Sequence, residues 1–227
     1  MKRDKLRIVF RVEFITLTDN GKDINPRKFD RFVRVVSNLR NSGKDVIIVS
    51  SGAIALGLLK CKDKNNMIDE NCLTDLQAVA AIGQAELIRE YQKFFDEYNQ
   101  IVAQVLYVSD INGNQERIEN ARNTFNTLLD MGIIPVVNEN DAVSTIDIEL
   151  NDNYPLAVRI AEITNSDIII IKSENENEYL IIAKGAKQVI VVKNEIELYD
   201  KIKNINKIIV PEGKFPATLK ELELLKN

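Results

Sequence analysis

Short β-branched runs alternate along the chain with stretches whose apolar residues recur every three or four positions. Leu6–Phe10 reads as a first strand, and Asp45–Val49 (DVIIV) as a strand buried on both faces. Between them, the spacing of Phe29, Val33, Val36 and Leu39 predicts an amphipathic helix ending near Asn41-Ser42-Gly43. Leu76, Val79, Ala80, Gly83 and Leu87 predict a second helix running toward Phe94 and Phe95. Ile118, Ala121, Phe125, Leu128 and Leu129 predict a third, stopped at Gly132. Ile101–Val108, Ile133–Val137, Asp167–Ile171, Tyr179–Ala183 and Gln188–Val192 read as further strands, with helices over 153–163 and 216–227. Strands alternating with helices call for an α/β fold with a mostly parallel sheet covered on both faces. No repeat, Pro-rich linker or low-complexity block divides the chain, so 1–227 is read as one domain.

Composition narrows the chemistry. Thirty basic against thirty-four acidic residues give a formal charge of −4, without the electrostatic footprint of a general nucleic-acid binder. Lys2, Arg3, Lys5 and Arg7 read as a solvated basic start. The chain has no histidine, which excludes Ser-His-Asp and Cys-His nucleophile arrangements and most catalytic zinc sites. Two cysteines, Cys61 and Cys72, form neither a CxxC pair nor a disulfide framework, as expected of a reduced cytoplasmic chain. No apolar run approaches the ~18 residues of a membrane helix, so no membrane association is expected.

Three polar clusters adjoin predicted strands or helices, the places where open parallel sheets bind ligands. Ser50-Ser51-Gly52-Ala53 follows DVIIV and reads either as an anion cradle or as a tight turn that needs small residues for packing. Asn138-Glu139-Asn140-Asp141 follows IIPVV and reads as pocket residues or as a solvated turn. Asn151-Asp152-Asn153 precedes the helix at 153–163 and reads as pocket residues or as an N-cap.

The stretches SSGAIALG, QAVAAIGQAELI, RIENARNTFNTLLDMGIIPVVNENDAVST and the following NDN resemble glutamate 5-kinase, of the amino-acid kinase superfamily, continuously from about residue 45 to 171. The resemblance implies a three-layer α/β/α sandwich around an eight-stranded sheet, phosphorylation of the γ-carboxylate of L-glutamate with MgATP in proline biosynthesis, and oligomers. It places glutamate on Ser51, Asp141 and Asn153, with Gly52, Ala53 and Asn138 beside them. Asp141 would hold the ammonium, and Ser51 and Asn153 would donate to the carboxylates. It also implies that 1–163 is the amino-acid half and 164–227 a shortened nucleotide half.

At the phosphate end the sequence departs from the family pattern. The family's Lys-Leu-Gly-Thr-Ser is Arg11-Val12-Glu13-Phe14-Ile15, its second aspartate after the NDN is Tyr154, and its Thr-Asp facing the nucleotide is Lys172-Ser173. Its glycine-rich loop survives only as Gly213-Lys214-Phe215-Pro216-Ala217-Thr218-Leu219, with Leu219 at the lysine. Arg11 keeps a charge but not the compact ammonium, and Glu13 adds an anion beside a polyphosphate. Asp147, Glu149 and Asp152 carry carboxylates, but magnesium is ordinarily held together with nucleotide phosphates, so no dedicated metal site is expected. The expectation is a glutamate-binding, catalytically impaired homologue acting as a regulatory or non-catalytic subunit, alone as a homo-oligomer or with a proline-pathway enzyme. The alternatives are an active phosphotransferase using Arg11, Lys172 or Lys214 with MgATP, and a structural protein whose pocket binds nothing.

Overall fold

A computed structural model describes residues 5–19, 21, 23–62, 68–108, 114–143, 153–172, 178–185, 189–205 and 213–217. Its strands are β1 (Arg7–Val12), β2 (Thr18–Asp19), β3 (Asp23–Ile24), β4 (Asp45–Ser50), β5 (Val102–Tyr107), β6 (Ile134–Glu139), β7 (Ile168–Lys172), β8 (Tyr179–Ala183) and β9 (Ile190–Val192). Its α-helices are α1 (Pro26–Asn41), α2 (Ala53–Lys60), α3 (Leu73–Asp96), α4 (Gln115–Asp130), α5 (Tyr154–Ile163) and α6 (Glu195–Asn204).

Seven strands form one sheet in the order β5-β6-β4-β1-β7-β8-β9 among the described residues. β1, β4, β6 and β7 are buried at every position, as their β-branched sequences require. Successive residues face opposite layers. Phe10, Ile48, Val136 and Ile170 pack under α1, α3 and α6, whereas Val9, Ile47, Val137 and Ile169 pack under α4 and α5. The three-layer sandwich is therefore present. β5, β6, β4, β1 and β7 are parallel, and β8 and β9 extend the sheet antiparallel. Only residues 173–178 separate β7 from β8, too few for the crossover that a parallel pairing needs.

Local signals set the helix ends. Asn25 accepts from the backbone N–H groups of Arg27 and Lys28 at the start of α1, with Pro26 at its first position. The helix stops where Gly43 takes φ +84°. Helix α6 was not expected, although Asn194 with Glu197 three residues on is a start signal. Asn194 accepts from Glu197 N at 2.9 Å, and Glu195 and Glu197 occupy the positive first turn. The expected helix over 216–227 lies almost wholly outside the described residues.

Arg7 corrects the reading of a solvated basic start. The residue is 5% exposed and makes an ion pair with Asp45 at 3.0 Å. It also donates to Asn126 Oδ1 at 2.8 Å and to the Thr164 carbonyl at 2.7 Å. Arg7 thus ties β1 and β4 to α4 and to the end of α5, at the amino ends of the strands.

Helices α2 and α3 meet almost backbone to backbone. A Cβ on Gly83 would stand 1.7 Å from the Ala53 carbonyl oxygen, and one on Gly57 would stand 2.0 Å from that of Val79. Gly83→Ala is therefore expected to lower stability by about 1–3 kcal/mol through overpacking against an atom that cannot rotate away. Urea unfolding checks this. No helix among the described residues is long and apolar enough to cross a membrane.

Candidate functional site

The parallel registry brings the carboxyl ends of β1, β4, β6 and β7 to one edge, since Val12 lies beside Ser50, Val49 beside Val137 and Arg11 beside Ile171. Helix α5 runs back toward the start of β7, so its first residues lie at that same edge. Ser51, Asp141, Asn153, Arg11 and Lys172 therefore converge on one end of the sheet, although their order in sequence scatters them.

Ser51 follows β4. Its backbone N–H donates to the Val12 carbonyl at 3.2 Å, and its hydroxyl accepts from Phe14 N at 3.2 Å. A hydroxyl that accepts there keeps its own proton to donate. Gly52 has φ +112°, in the left-handed region, and a Cβ on it would lie 2.5 Å from the Phe14 side chain. The turn's need for a glycine is thus met by packing under Phe14. Ala53 is buried as the first residue of α2. Ser50 is structural, accepting from the Tyr91 hydroxyl of α3 at 2.9 Å.

The NEND stretch divides. Asn138 and Glu139 are still strand residues and are buried, so the solvated-turn reading fails for both. Asn138 Nδ2 donates to Gln84 Oε1 of α3 at 2.8 Å. Asn140 and Asp141 begin the turn, held by Asn140 N donating to the Tyr107 carbonyl at 2.7 Å. The carboxyl of Asp141 is pushed up from its ordinary 3.8 to about 6, first by loss of water and then by the charge of Glu139. Asp141, Glu139, Asn140, Gln84 and Gln104 line a groove of ≈ 250 Å³ floored by alanines of α3 and by Leu106. Ser51 and Asn153 are not among its lining residues.

Asn153 stands at the N-cap position of α5 but makes no side-chain cap bond, so the N-cap reading fails. It is 5% exposed, and both Oδ1 and Nδ2 are buried without a hydrogen-bond partner. An unsatisfied buried amide costs about 1–3 kcal/mol per group, and such groups call for an explanation, a bound ligand among them. Asn151 and Asp152 lie outside the described residues.

At the other end of the edge the side chains are engaged with each other. Arg11 pairs with Glu13 at 2.5 Å, so the Glu13 charge is opposed rather than free, and the two together carry no net charge. Lys172 is buried, with its ammonium 5.5 Å from the centre of the Tyr179 ring. Tyr154 is fully buried, and its hydroxyl donates to the Pro216 carbonyl at 3.0 Å. Phe215 is buried in the layer that contains α4 and α5. Ser173 lies outside the described residues. Sequence reasoning passed over Gln84, whose only signal is a polar residue beside the apolar stripe of α3.

One sheet covered by helices on both faces, with polar residues gathered at the carboxyl ends of its parallel strands, is an open α/β architecture. The profile of the amino acid kinase family matches residues 16–176, and the chain belongs to that family. It is 42% identical over 183 residues to a glutamate 5-kinase of Clostridium perfringens, covering 78% of this chain and 66% of that protein. It is 37% identical over 199 residues to a glutamate 5-kinase of Clostridium acetobutylicum, covering 87% and 73% respectively. The chain thus spans about two thirds of the length of these relatives. A UMP kinase structure from Bacillus anthracis superimposes with a TM-score of 0.46 at 18% identity, over 75% of this chain and 66% of that one.

Proposed function

We propose that the chain binds L-glutamate, or a closely related amino acid, through Ser51, Asp141 and Asn153, and that its phosphoryl transfer is impaired. The observation that carries the reading is Asn153, whose buried amide is left without a partner at the edge where the substrate of a glutamate 5-kinase-like protein would lie. A hydroxyl with a free proton, an unpartnered amide and a carboxylate suit the two carboxylates and the ammonium of an α-amino acid. On this reading residues 1–163 form the amino-acid half and 164–227 the nucleotide half of one domain.

MgATP does not fit the partner positions. A lysine that would grip transferring oxygens is replaced by an arginine already paired with Glu13. The glycine that would let N–H groups approach phosphate is replaced by that same glutamate, and an organising aspartate by a buried tyrosine. Phosphoryl transfer rests on such positioned charges, and the loss of one preorganised contact lowers the rate by about 10²–10³. The protein would then serve as a glutamate-responsive or non-catalytic subunit, through self-association or with an enzyme of proline synthesis.

An ADP-release assay with L-glutamate and MgATP tests this, with the Clostridium perfringens glutamate 5-kinase run alongside. Turnover below about one hundredth of that control is expected, the factor set by one lost contact. A rate within tenfold of the control would overturn the impairment and assign the work to Arg11, Lys172 or Lys214.

A further inference from the structure

Gln84 reaches from the middle of α3 to the end of β6, where its Oε1 accepts from Asn138 Nδ2 at 2.8 Å. The same side chain lines the groove that contains Asp141, Glu139 and Asn140. Its side chain therefore touches both Asn138 and that groove. A side-chain amide has two donor hydrogens on nitrogen and lone pairs on oxygen. With the Asn138 nitrogen engaged by Gln84, its amide oxygen is left as an acceptor. Resting on the glutamate reading above, we propose that Gln84 is a positioning residue: it holds Asn138 with its carbonyl oxygen available to the ligand's ammonium, alongside the Asp141 carboxylate. The cradle's preference for an α-amino acid over the matching dicarboxylate without an amine follows from that orientation. The groove's lining contains two carboxylates and three amide side chains and no cationic side chain, which suits a cationic group and repels an anionic one.

The two amides can exchange donor and acceptor roles together, so the variants must separate orientation from packing. Gln84→Glu leaves only an acceptor and keeps Asn138 as it stands. Gln84→Lys leaves only donors and turns Asn138 about, and Gln84→Met removes the restraint. The readout is the ratio of affinities for L-glutamate and glutarate, measured by calorimetry at pH 8 on the full chain. The ratio should fall about tenfold in Gln84→Met, the scale of one hydrogen bond, and further in Gln84→Lys. Gln84→Glu should not lower the ratio, since it keeps an acceptor facing Asn138 and adds a carboxylate to the groove. An unchanged ratio in both Gln84→Met and Gln84→Lys, or an equal loss in Gln84→Glu, overturns the assignment. Should Gln84→Met fail to fold, the uncharged Gln84→Leu takes its place, because Gln84→Lys and Gln84→Glu also change the charge of the groove. Failure of the wild type to bind L-glutamate overturns the glutamate reading and this assignment with it, whereas normal wild-type binding with unaltered variants overturns the assignment only.

Discussion

Arg7→Met is expected to destabilise the protein by about 3–5 kcal/mol, the scale of removing one partner from a buried ion pair. The change leaves Asp45, itself buried, without the guanidinium that contacts it at 3.0 Å and 3.2 Å. It also removes the hydrogen bonds that Arg7 gives to Asn126 Oδ1 of α4 and to the Thr164 carbonyl at the end of α5. For a chain of this length the loss corresponds to roughly 6–20 °C in Tm. Urea unfolding with an unchanged m-value measures it. Arg7→Lys should recover only part, because one ammonium cannot reproduce the planar fork. The double change Arg7→Met with Asp45→Leu should be far milder than the sum of the two, since no charge is then stranded. A loss under about 1 kcal/mol for Arg7→Met would place the arginine in solvent.

Asp141→Asn is expected to do two opposite things at pH 8: raise Tm and weaken L-glutamate binding by at least about thirtyfold. The binding loss follows from removing the charge that would hold the ammonium, a change worth about 2–5 kcal/mol for a buried charge pair. The stability gain follows from linkage. The folded state raises the Asp141 carboxyl to about 6 against an ordinary 3.8, so folding favours the protonated form. Ionising Asp141 therefore opposes folding as pH rises from about 4 through 6, and the penalty is complete above that. The advantage of the asparagine should be present above pH 6 and disappear below about pH 4. In the wild type, affinity for L-glutamate should fall as pH drops below about 6, where the carboxylate takes up a proton. Thermal unfolding and calorimetry across pH 4–8 read both effects. A variant that binds normally would remove Asp141 from the site, and one less stable at pH 8 would make it a structural residue.

Elements carried by local pattern were legible in the sequence. DVIIV has the β-branched run typical of a fully buried strand, and Phe29, Val33, Val36 and Leu39 recur at a helix's period, so β4 and α1 emerge where expected. The sheet's reversal at β8 was not drawn from the sequence, yet it follows from the short span after Lys172. Arg7 was misread because its partners are remote: Asp45 lies 38 positions away, Asn126 119 and Thr164 157. Among neighbouring basic residues it carries no local mark of burial. Gln84 escaped for the same reason, since it meets Asn138 across 54 positions. The glutamate positions came from resemblance rather than from pattern. What the fold adds is their common edge, the unpartnered amide of Asn153 and the pairing of Arg11 with Glu13.

The most direct test of an open amino-acid end beside a closed phosphate end is a pair of calorimetric titrations on the same preparation. L-glutamate should give saturable binding that Asn153→Ala abolishes, while MgATP gives no heat of binding with or without L-glutamate. Saturable MgATP binding, or L-glutamate binding indifferent to Asn153, would contradict the account.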